Sequence, residues 1–447
     1  MSADRVPLRA PKGTNDILPP GSFRWQELVR LAQDSFERAG YAPVETPTFE
    51  DTTLFERGVG ETSEVVTKQM YSFEDLGGRS LTLRPEGTAG VVRAVIEHSL
   101  DRGPLPVKLN YASWMFRQER PQKGRYRQFF QVGIEAMGTD RPTIDAEVIQ
   151  VGDSFLRAAG ATPTLLLNSI GHLADDCRTG YNRTLVGFLR DHEDELAPED
   201  RKRIDTNPMR TFDSKEEKTI VIMASAPIIT NHLCDACTEH FAQVKGYLDD
   251  LGVAYTVEPR LVRGLDYYTR TAFEFVSSEL GSQNAMGGGG RYDGLAEMLG
   301  GDPLPGIGFA LGVDRILLSL DEPRSSRGTR EQDERSSRGT REPEREQEGI
   351  QGGPKVEVYF VARGDEAAAE AFRLATRLRR AGIGADLDHT RRGMKGQMKD
   401  AGRSGARFAA ILGDDEMAAG DMTLRDMASG EQERVSITGL EARLKET

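Results

Sequence analysis

The sequence predicts an α+β protein in which a mainly antiparallel sheet with a helical insertion precedes a small α/β domain. Three observations carry that expectation. Residues 106–116 and 126–137 alternate apolar and polar side chains on either side of the polar stretch QERPQKGR, the pattern of an antiparallel hairpin with a long loop. Residues 172–255 are more helical and more charged than their surroundings and read as an insertion. From residue 355 onward, strand and helix patterns alternate as in a compact α/β unit.

Bulk properties narrow the class. A chain of 447 residues with 38% hydrophobic and 29% charged residues has material for two or three globular domains. No run approaches the roughly 20 apolar residues that cross a bilayer. The opening MSADRVPLRAPKGTND has no apolar stretch after its basic residues, so a cytoplasmic location is expected. Three cysteines are too few for a disulfide framework. The net charge of −13 argues against broad nucleic-acid affinity, so any RNA contact needs a local basic face.

Taken in order, Trp25, Leu28, Val29, Ala32 and Phe36 recur at helical spacing, with Gly40 placed to end the helix. Leu81 and Leu83 alternate before TLRPEGTAG, which predicts a strand end and then a helix near Thr88. Residues 271–276 alternate again, and residues 305–320 read as a glycine-rich strand end running into a helix. Residues 323–354 carry two near-copies of an 11-residue unit, RSSRGTREQDE and RSSRGTREPER, with Ile350 the only large apolar side chain. Such a stretch buries too little to offset its ordering entropy and reads as a disordered linker. The expected division is therefore 1–322, 323–354 and 355–447. In the last part, VEVYFVA, IGADLDH and ARFAAIL are strands alternating with helices over 365–381 and 391–402. Arg391, Lys395, Lys399, Arg403 and Arg407 fall at four-residue steps, although Gly402 and Gly405 break the helix before its end. A solvated helix face explains them by itself; they are also the local basic patch an acidic RNA-binding protein needs.

Several segments point to chemistry. In the second hairpin strand, Arg127, Gln131, Gly133 and Glu135 share one face, opposite Phe130, Val132, Ile134 and Ala136. Arg117 ends the first strand and faces a connector with Arg120, Lys123 and Arg125, a set of forked cations suited to polyphosphate. Glu86 follows a strand, where it either holds an ammonium group or caps the next helix; capping is the preferred reading of the residue alone. LVRGLDYYTRTAFEF crowds Arg263, Asp266, Tyr267 and Tyr268 together, and tyrosines can enclose a small polar ring. MGGGGRYDGL allows close backbone approach but lacks the spacing of a dinucleotide fold. Gly308, Gly312 and Arg315 are spaced as one helical face, a bare surface for a flat base or for close packing. In HLCDACTEH, His232, Cys234, Cys237 and His240 read as one helix that does not turn all four to one ion, so no protein-held metal is expected.

Together these motifs resemble the histidyl-tRNA synthetases among the class II aminoacyl-tRNA synthetases, over nearly the whole chain apart from the linker. APKGTNDILPP, FRQERPQKGRYRQF, LVRGLDYYTRT, GGGGRYDGL and GIGFALGVDR carry the resemblance, and RRGMKGQMKDAGRSGA is similar to the family's anticodon-binding domain. The resemblance implies a class II antiparallel-sheet catalytic core and ligation of L-histidine to tRNA(His) through a histidyl-adenylate. ATP is the co-substrate, Mg²⁺ bridges its outer phosphates, and a homodimer is expected. The implied catalytic set is Arg117, Arg263 and Arg315. Histidine is implied to lie against Glu86, Gly87, Thr88, Gln131, Glu135, Arg263, Tyr267 and Tyr268. ATP falls to Arg117, Arg125 and Arg315, and the tRNA to Arg391, Lys395 and Lys399. Glu86 and an adenylate phosphate oxygen are both candidates for the proton released in transfer. The synthetase-like regulatory subunit of ATP phosphoribosyltransferase shares the core but lacks the C-terminal domain and resembles this chain less in LVRGLDYY. A tRNA-sensing module in a kinase is disfavoured because no kinase signature is present.

Overall fold

A computed structural model describes residues 8–60, 63, 65–281, 284–321 and 356–445. The repeat-bearing segment 323–354 lies outside the described residues.

The first helix, α1 (Gly21–Arg38), buries Leu28, Ala32 and Phe36 on the face the spacing predicts. It stops in a full Schellman closure: Tyr41 N–H donates to Phe36 O at 3.1 Å and Gly40 N–H to Glu37 O at 2.9 Å. Gly40 takes φ +82°, which a side chain resists. After it come β1 (Ala42–Pro43), β2 (Phe49–Asp51), α2 (Thr52–Val59), β3 (Tyr71–Glu74), β4 (Ser80–Leu83) and α3 (Thr88–Glu97). The predicted hairpin is β5 (Val107–Phe116) and β6 (Gln128–Met137), paired antiparallel over its full length. Next are α4 (Pro142–Ala158), β7 (Thr164–Ser169), α5 (Arg178–Asp191), α6 (Pro198–Arg201), α7 (Glu217–Met223), α8 (Asp235–Asp250) and β8 (Thr256–Val257). The sheet is completed by β9 (Thr269–Val276), β10 (Ala285–Arg291) and, after α9 (Leu295–Met298), β11 (Gly306–Gly312), which runs into α10 (Val313–Asp321).

Strand order in this eight-stranded sheet is β1-β5-β6-β11-β10-β9-β7-β8, antiparallel in its interior with a parallel pair at each edge; β2, β4 and β3 form a small second sheet. One face of the large sheet is sealed by α1 and α4: Trp25 stands edge-on to Phe130 at 4.6 Å, and Phe36 meets Phe309 at 5.6 Å. The opposite face is left for the site. Within 172–255, α5 and α7 join the second apolar cluster, whereas α8 buries Val244 and Leu248 in the main core beside α4.

Beyond the undescribed segment stand β12 (Val358–Ala362), α11 (Asp365–Arg380), β13 (Ala385–Leu387), α12 (Met394–Arg403), β14 (Phe408–Leu412), α13 (Asp414–Ala419), β15 (Asp421–Asp426), β16 (Gln432–Ser436) and α14 (Leu440–Lys445). Their sheet, β13-β12-β14-β15-β16, is parallel in its first three strands, as βαβ alternation requires. This unit docks on the first through a buried charge knot. Glu147 on α4 is fully enclosed and receives Lys108 Nζ at 2.8 Å, Arg379 Nη1 at 2.8 Å and His389 Nε2 at 3.0 Å, with the Tyr41 hydroxyl at 3.2 Å. Lys108 also reaches Asp386 at 2.7 Å, and a Cβ on Gly40 would stand 2.5 Å from that carboxylate. Burial by itself raises the Glu147 carboxyl, but Arg379, Lys108 and His389 outweigh it and hold it well below the usual range. Its contribution is therefore present at neutral pH and lost as the pH falls into the acid range. Glu147→Gln leaves buried cations under-compensated and is expected to cost about 3–5 kcal/mol in urea denaturation at neutral pH. An unchanged midpoint there would show that the knot contributes nothing net.

Candidate functional site

The site begins with the pleat of β6. Phe130, Val132, Ile134 and Ala136 are buried toward the helices, so Gln131, Gly133 and Glu135 face the other way. Glu135 is wholly enclosed on that face and accepts hydrogen bonds from Thr88 Oγ1 at 2.7 Å and the Tyr292 hydroxyl at 2.6 Å, with the Tyr111 hydroxyl at 3.5 Å. Burial pushes its carboxyl up to about 8; the Tyr292 and Thr88 hydrogen bonds oppose that and nearby Glu86 adds to it. Gly308, the antiparallel neighbour of Glu135, has no room for a side chain: a Cβ there would fall 1.9 Å from Glu135 Oε2. Gly133 is held in the same way by Tyr111 and the Phe309 carbonyl, at 2.5 and 2.6 Å from a built Cβ. These glycines make room for a carboxylate and a phenol under the pocket floor.

Glu86 fulfils the capping reading and still reaches the pocket. Its Oε2 accepts from Thr88 N–H at 2.8 Å and its Oε1 from Ala89 N–H at 2.9 Å, at the start of α3. The Tyr267 hydroxyl approaches it at 3.4 Å. Burial raises this carboxyl, against the lowering effect of both amides.

A cavity of about 140 Å³ opens above this floor, bordered by Glu86, Thr88, Gln131, Arg117, Arg263, Tyr267, Tyr268 and Glu274 among others. Tyr267 and Tyr268 lie 4.7 Å apart between centroids and form an aromatic wall. Arg263 sits over Tyr268 at 5.6 Å and pairs with Glu274 at 3.0 Å. Arg117 is aimed by Nε donation to Pro85 O at 2.8 Å and by stacking on Phe129 at 5.3 Å. Gln131 Oε1 is shielded from solvent and has no hydrogen-bond partner among the described residues. A buried amide oxygen of that kind is costly unless a ligand donor meets it. Arginines, carboxyls and an open acceptor around one small cavity suit a small zwitterion whose carboxylate lies beside a phosphate.

Not every expected residue borders the cavity. Glu135 lies beneath it, and Gly87 backs onto Tyr111, 2.6 Å from a built Cβ. Arg125 and Arg315 stand outside: Arg125 pairs with Glu119, and Arg315 on α10 donates to the carbonyls of Ala285 and Gly124. The spacing of Gly308, Gly312 and Arg315 is not one helical face. Both glycines belong to β11, where a four-residue step also returns to the same side, and only Arg315 is helical. The glycine run 287–290 is a sheet strand between β9 and β11; Gly287 and Gly288 border the cavity, and a Cβ on Gly288 would meet Arg263 Nη1 at 2.8 Å. Tyr111, Glu119, Glu274 and Tyr292 were not singled out by sequence reasoning. Tyr292, two residues after the glycine run, had the clearest available signal.

HLCDACTEH is not one helix either. α8 starts at Asp235 with Cys234 as its N-cap, and His240 is bound to Asp145 at 2.8 Å, away from the cysteines. Asp145 also receives buried Arg291 at 2.6 Å, a core ion pair beneath β9 and β10. In the C-terminal unit, Lys395, Lys399 and Arg403 project from α12 into solvent, while Arg391 precedes the helix at φ +57° and pairs with Asp365 at 3.2 Å. Arg407 follows the helix.

Against known proteins, residues 13–316 match the histidyl-tRNA synthetase family and residues 355–447 the anticodon binding domain family. The histidine–tRNA ligase of Corynebacterium diphtheriae is 49% identical over 97% of this chain and 96% of its own length. That of Halothermothrix orenii is 44% identical over 97% and 98%, respectively. Among solved structures, apo S. aureus histidyl-tRNA synthetase is similar at a TM-score of 0.57 and 36% identity, covering 98% of this chain and all of that one.

Proposed function

Because the chain belongs to the histidyl-tRNA synthetase family, and so is a histidine–tRNA ligase, we propose that the cavity over β6 activates L-histidine with ATP and that its residues divide the work as follows. Histidine lies on the Glu86, Thr88, Gln131 and Glu135 side, between Tyr267 and Tyr268, with Gly87 keeping Tyr111 close below. Arg117 and Arg263 face the α-phosphate from two sides, and Arg125 and Arg315 hold the outer end of the nucleotide. Histidine's carboxylate attacks the α-phosphorus in line, releasing pyrophosphate and leaving the histidyl-adenylate. Positioning and neutralisation of phosphate charge supply the rate. Glu119 and Glu274 beside the arginines offer the hard oxygens a Mg²⁺ on the outer phosphates would meet, and that ion would supply further charge neutralisation there. In the second step a ribose hydroxyl of the 3′-terminal adenosine of tRNA(His) attacks the acyl carbon of the mixed anhydride, forming the ester as the acyl–phosphate bond breaks and AMP leaves. A phosphate oxygen is the favoured proton acceptor, because both Glu86 oxygens already accept backbone amides.

The observation that carries this reading is the unsatisfied Gln131 Oε1 in the wall of a cavity that Glu86, Arg117 and Arg263 also border. Its test is histidine-dependent ATP–pyrophosphate exchange, with histidinol and other amino acids as controls. Exchange confined to histidine supports the assignment. Absence of exchange in a folded, ATP-binding protein overturns it and favours a regulatory role of the ATP phosphoribosyltransferase kind. The same reading places the tRNA anticodon on the C-terminal unit, against Arg391, Lys395 and Lys399. A cavity of about 240 Å³ bordered by Arg391 and Arg392 lies there, at the carboxyl ends of β12 and β13. The double variant Lys395→Glu and Lys399→Glu is expected to raise the KM for tRNA about tenfold while leaving exchange unchanged. Equal loss in both assays would place those lysines outside tRNA recognition. A homodimer and a cytoplasmic location complete the proposal; none of the described helices is long and apolar enough to cross a membrane.

A further inference from the structure

The loop after β7 and the start of α8 bring four side chains together that the aminoacylation site does not use. His172, Cys177, Cys234 and Cys237 place one ligand atom each within 4.8 Å of all the others. His172 Nδ1 lies 3.2 Å from Cys237 Sγ and 3.8 Å from Cys234 Sγ. Around a tetrahedral zinc ion, with Zn–S about 2.3 Å and Zn–N about 2.0–2.1 Å, neighbouring ligand atoms stand about 3.5–3.8 Å apart. The observed separations bracket those edges. Cys177 and Cys237 are buried, and the backbone amides of His172 and Cys234 point at Cys177 Sγ.

The backbone around the cluster is built to this shape. Gly171 takes φ +64°, and a Cβ there would stand 2.8 Å from Cys177 Sγ. Residues 172–179 fold back tightly, Arg178 N–H donating to His172 O at 3.2 Å and Cys177 N–H to Ala174 O at 3.1 Å. His172 and Cys177 are a ligand pair with four residues between them, and Cys234 and Cys237 a pair with two, both within the spacing structural zinc sites use.

We propose that His172, Cys177, Cys234 and Cys237 bind one zinc ion in a closed Cys₃His site. Four protein ligands leave no open position for substrate, so the ion is structural. It joins residues 172–177 to the beginning of α8 and thereby closes the base of the segment 178–233. The clip also borders the histidine pocket. Arg178, adjacent to Cys177, donates to Tyr268 O at 2.5 Å, and Gly171 O accepts from Arg270 N–H at 2.7 Å.

The test uses the full chain purified without chelator or added metal. Mass-spectrometric metal analysis is expected to find one zinc per chain, and free-thiol counting in denaturant after zinc removal three thiols. Cobalt exchange is expected to give the absorption of a tetrahedral thiolate site. Cys234→Ser, at the less buried cysteine, is expected to lose the metal while keeping native circular dichroism. Chelation is expected to open residues 178–233 to limited proteolysis. Reduced, folded protein that takes up no zinc overturns the proposal, as does a disulfide among these cysteines or full zinc retention by folded Cys234→Ser. Should Cys234→Ser fail to fold, the cobalt spectrum of the unaltered chain decides: absent thiolate-to-cobalt bands sink the site.

Discussion

Arg117→Ala is expected to lower histidine-dependent ATP–pyrophosphate exchange by about 10³-fold, chiefly in kcat. The side chain is fixed from two directions before any ligand arrives, by the Pro85 carbonyl and by the Phe129 ring. Burial weakens its hold on a proton while Glu119 and Glu86 strengthen it, and a guanidinium stays charged through such opposition where an amine is vulnerable. In the proposed role at the α-phosphate, a preorganised cation spends little on reorganisation as charge develops. Arg117→Lys should therefore restore only a small part of the loss, since it keeps the charge and loses the fork. Ligand-free unfolding measurements should change little for either variant, because Arg117 is only partly buried. A loss confined to the KM for ATP would instead make Arg117 a ground-state binding group, with the phosphate chemistry elsewhere.

Glu135→Gln should split function from stability. With its carboxyl raised to about 8 by burial, the folded protein retains a proton there that the unfolded chain releases near the usual Glu value. Folded chains then bind more protons across that window, so this group's contribution falls as pH climbs from about 4.5 to about 8 and levels off beyond. Glutamine keeps the shape and ends the titration, so the variant should gain on the parent by about 1–2 kcal/mol above pH 8 in urea melts. Histidine activation should fall at least 10²-fold at the same time, because Glu135 anchors the phenols and Thr88 beneath the ligand. If the stability difference does not grow with pH, Glu135 is not the protonated group. If activity survives, Thr88 and the phenols are held in place without the Glu135 carboxyl.

How legible this was depended on the range of the contacts. Phe130 to Ala136 alternate because one face of β6 meets helices and the other a cavity, so a two-residue period announced both core and site face. α1 was visible for the same local reason, with its glycine stop. The βαβ order of the C-terminal unit likewise fixed parallel pairing of β12, β13 and β14, whereas α13 to α14 are short and polar and left no period to find. Tyr111 and Tyr292 escaped notice because each meets Glu135 across sheet neighbours, at separations of 24 and 157 residues. The cysteine pair at 234 and 237 was conspicuous, yet the side chains clustered with it lie about 60 residues upstream, so the local segment, weighed with His232 and His240, read as ordinary helix without a metal. Gly308 and Gly312 show a different failure: a step of four fits a strand as well as a helix, and only the strand beside them settles which applies.

The Glu147 knot has a consequence for how the two halves of the chain are coupled. The C-terminal unit is held against the first by Lys108, Glu147, Arg379 and His389, with Arg373 bonded to Asp250 and Arg380 to Leu251 O at their shared edge. Every one of these groups belongs to the two docked bodies. Because both bodies belong to one chain, their docking is intramolecular, and its effective concentration changes only slowly with the number of residues between them. With these docking contacts made by groups on the two bodies, the number of repeats between residues 321 and 356 can change at little energetic cost to the halves they join.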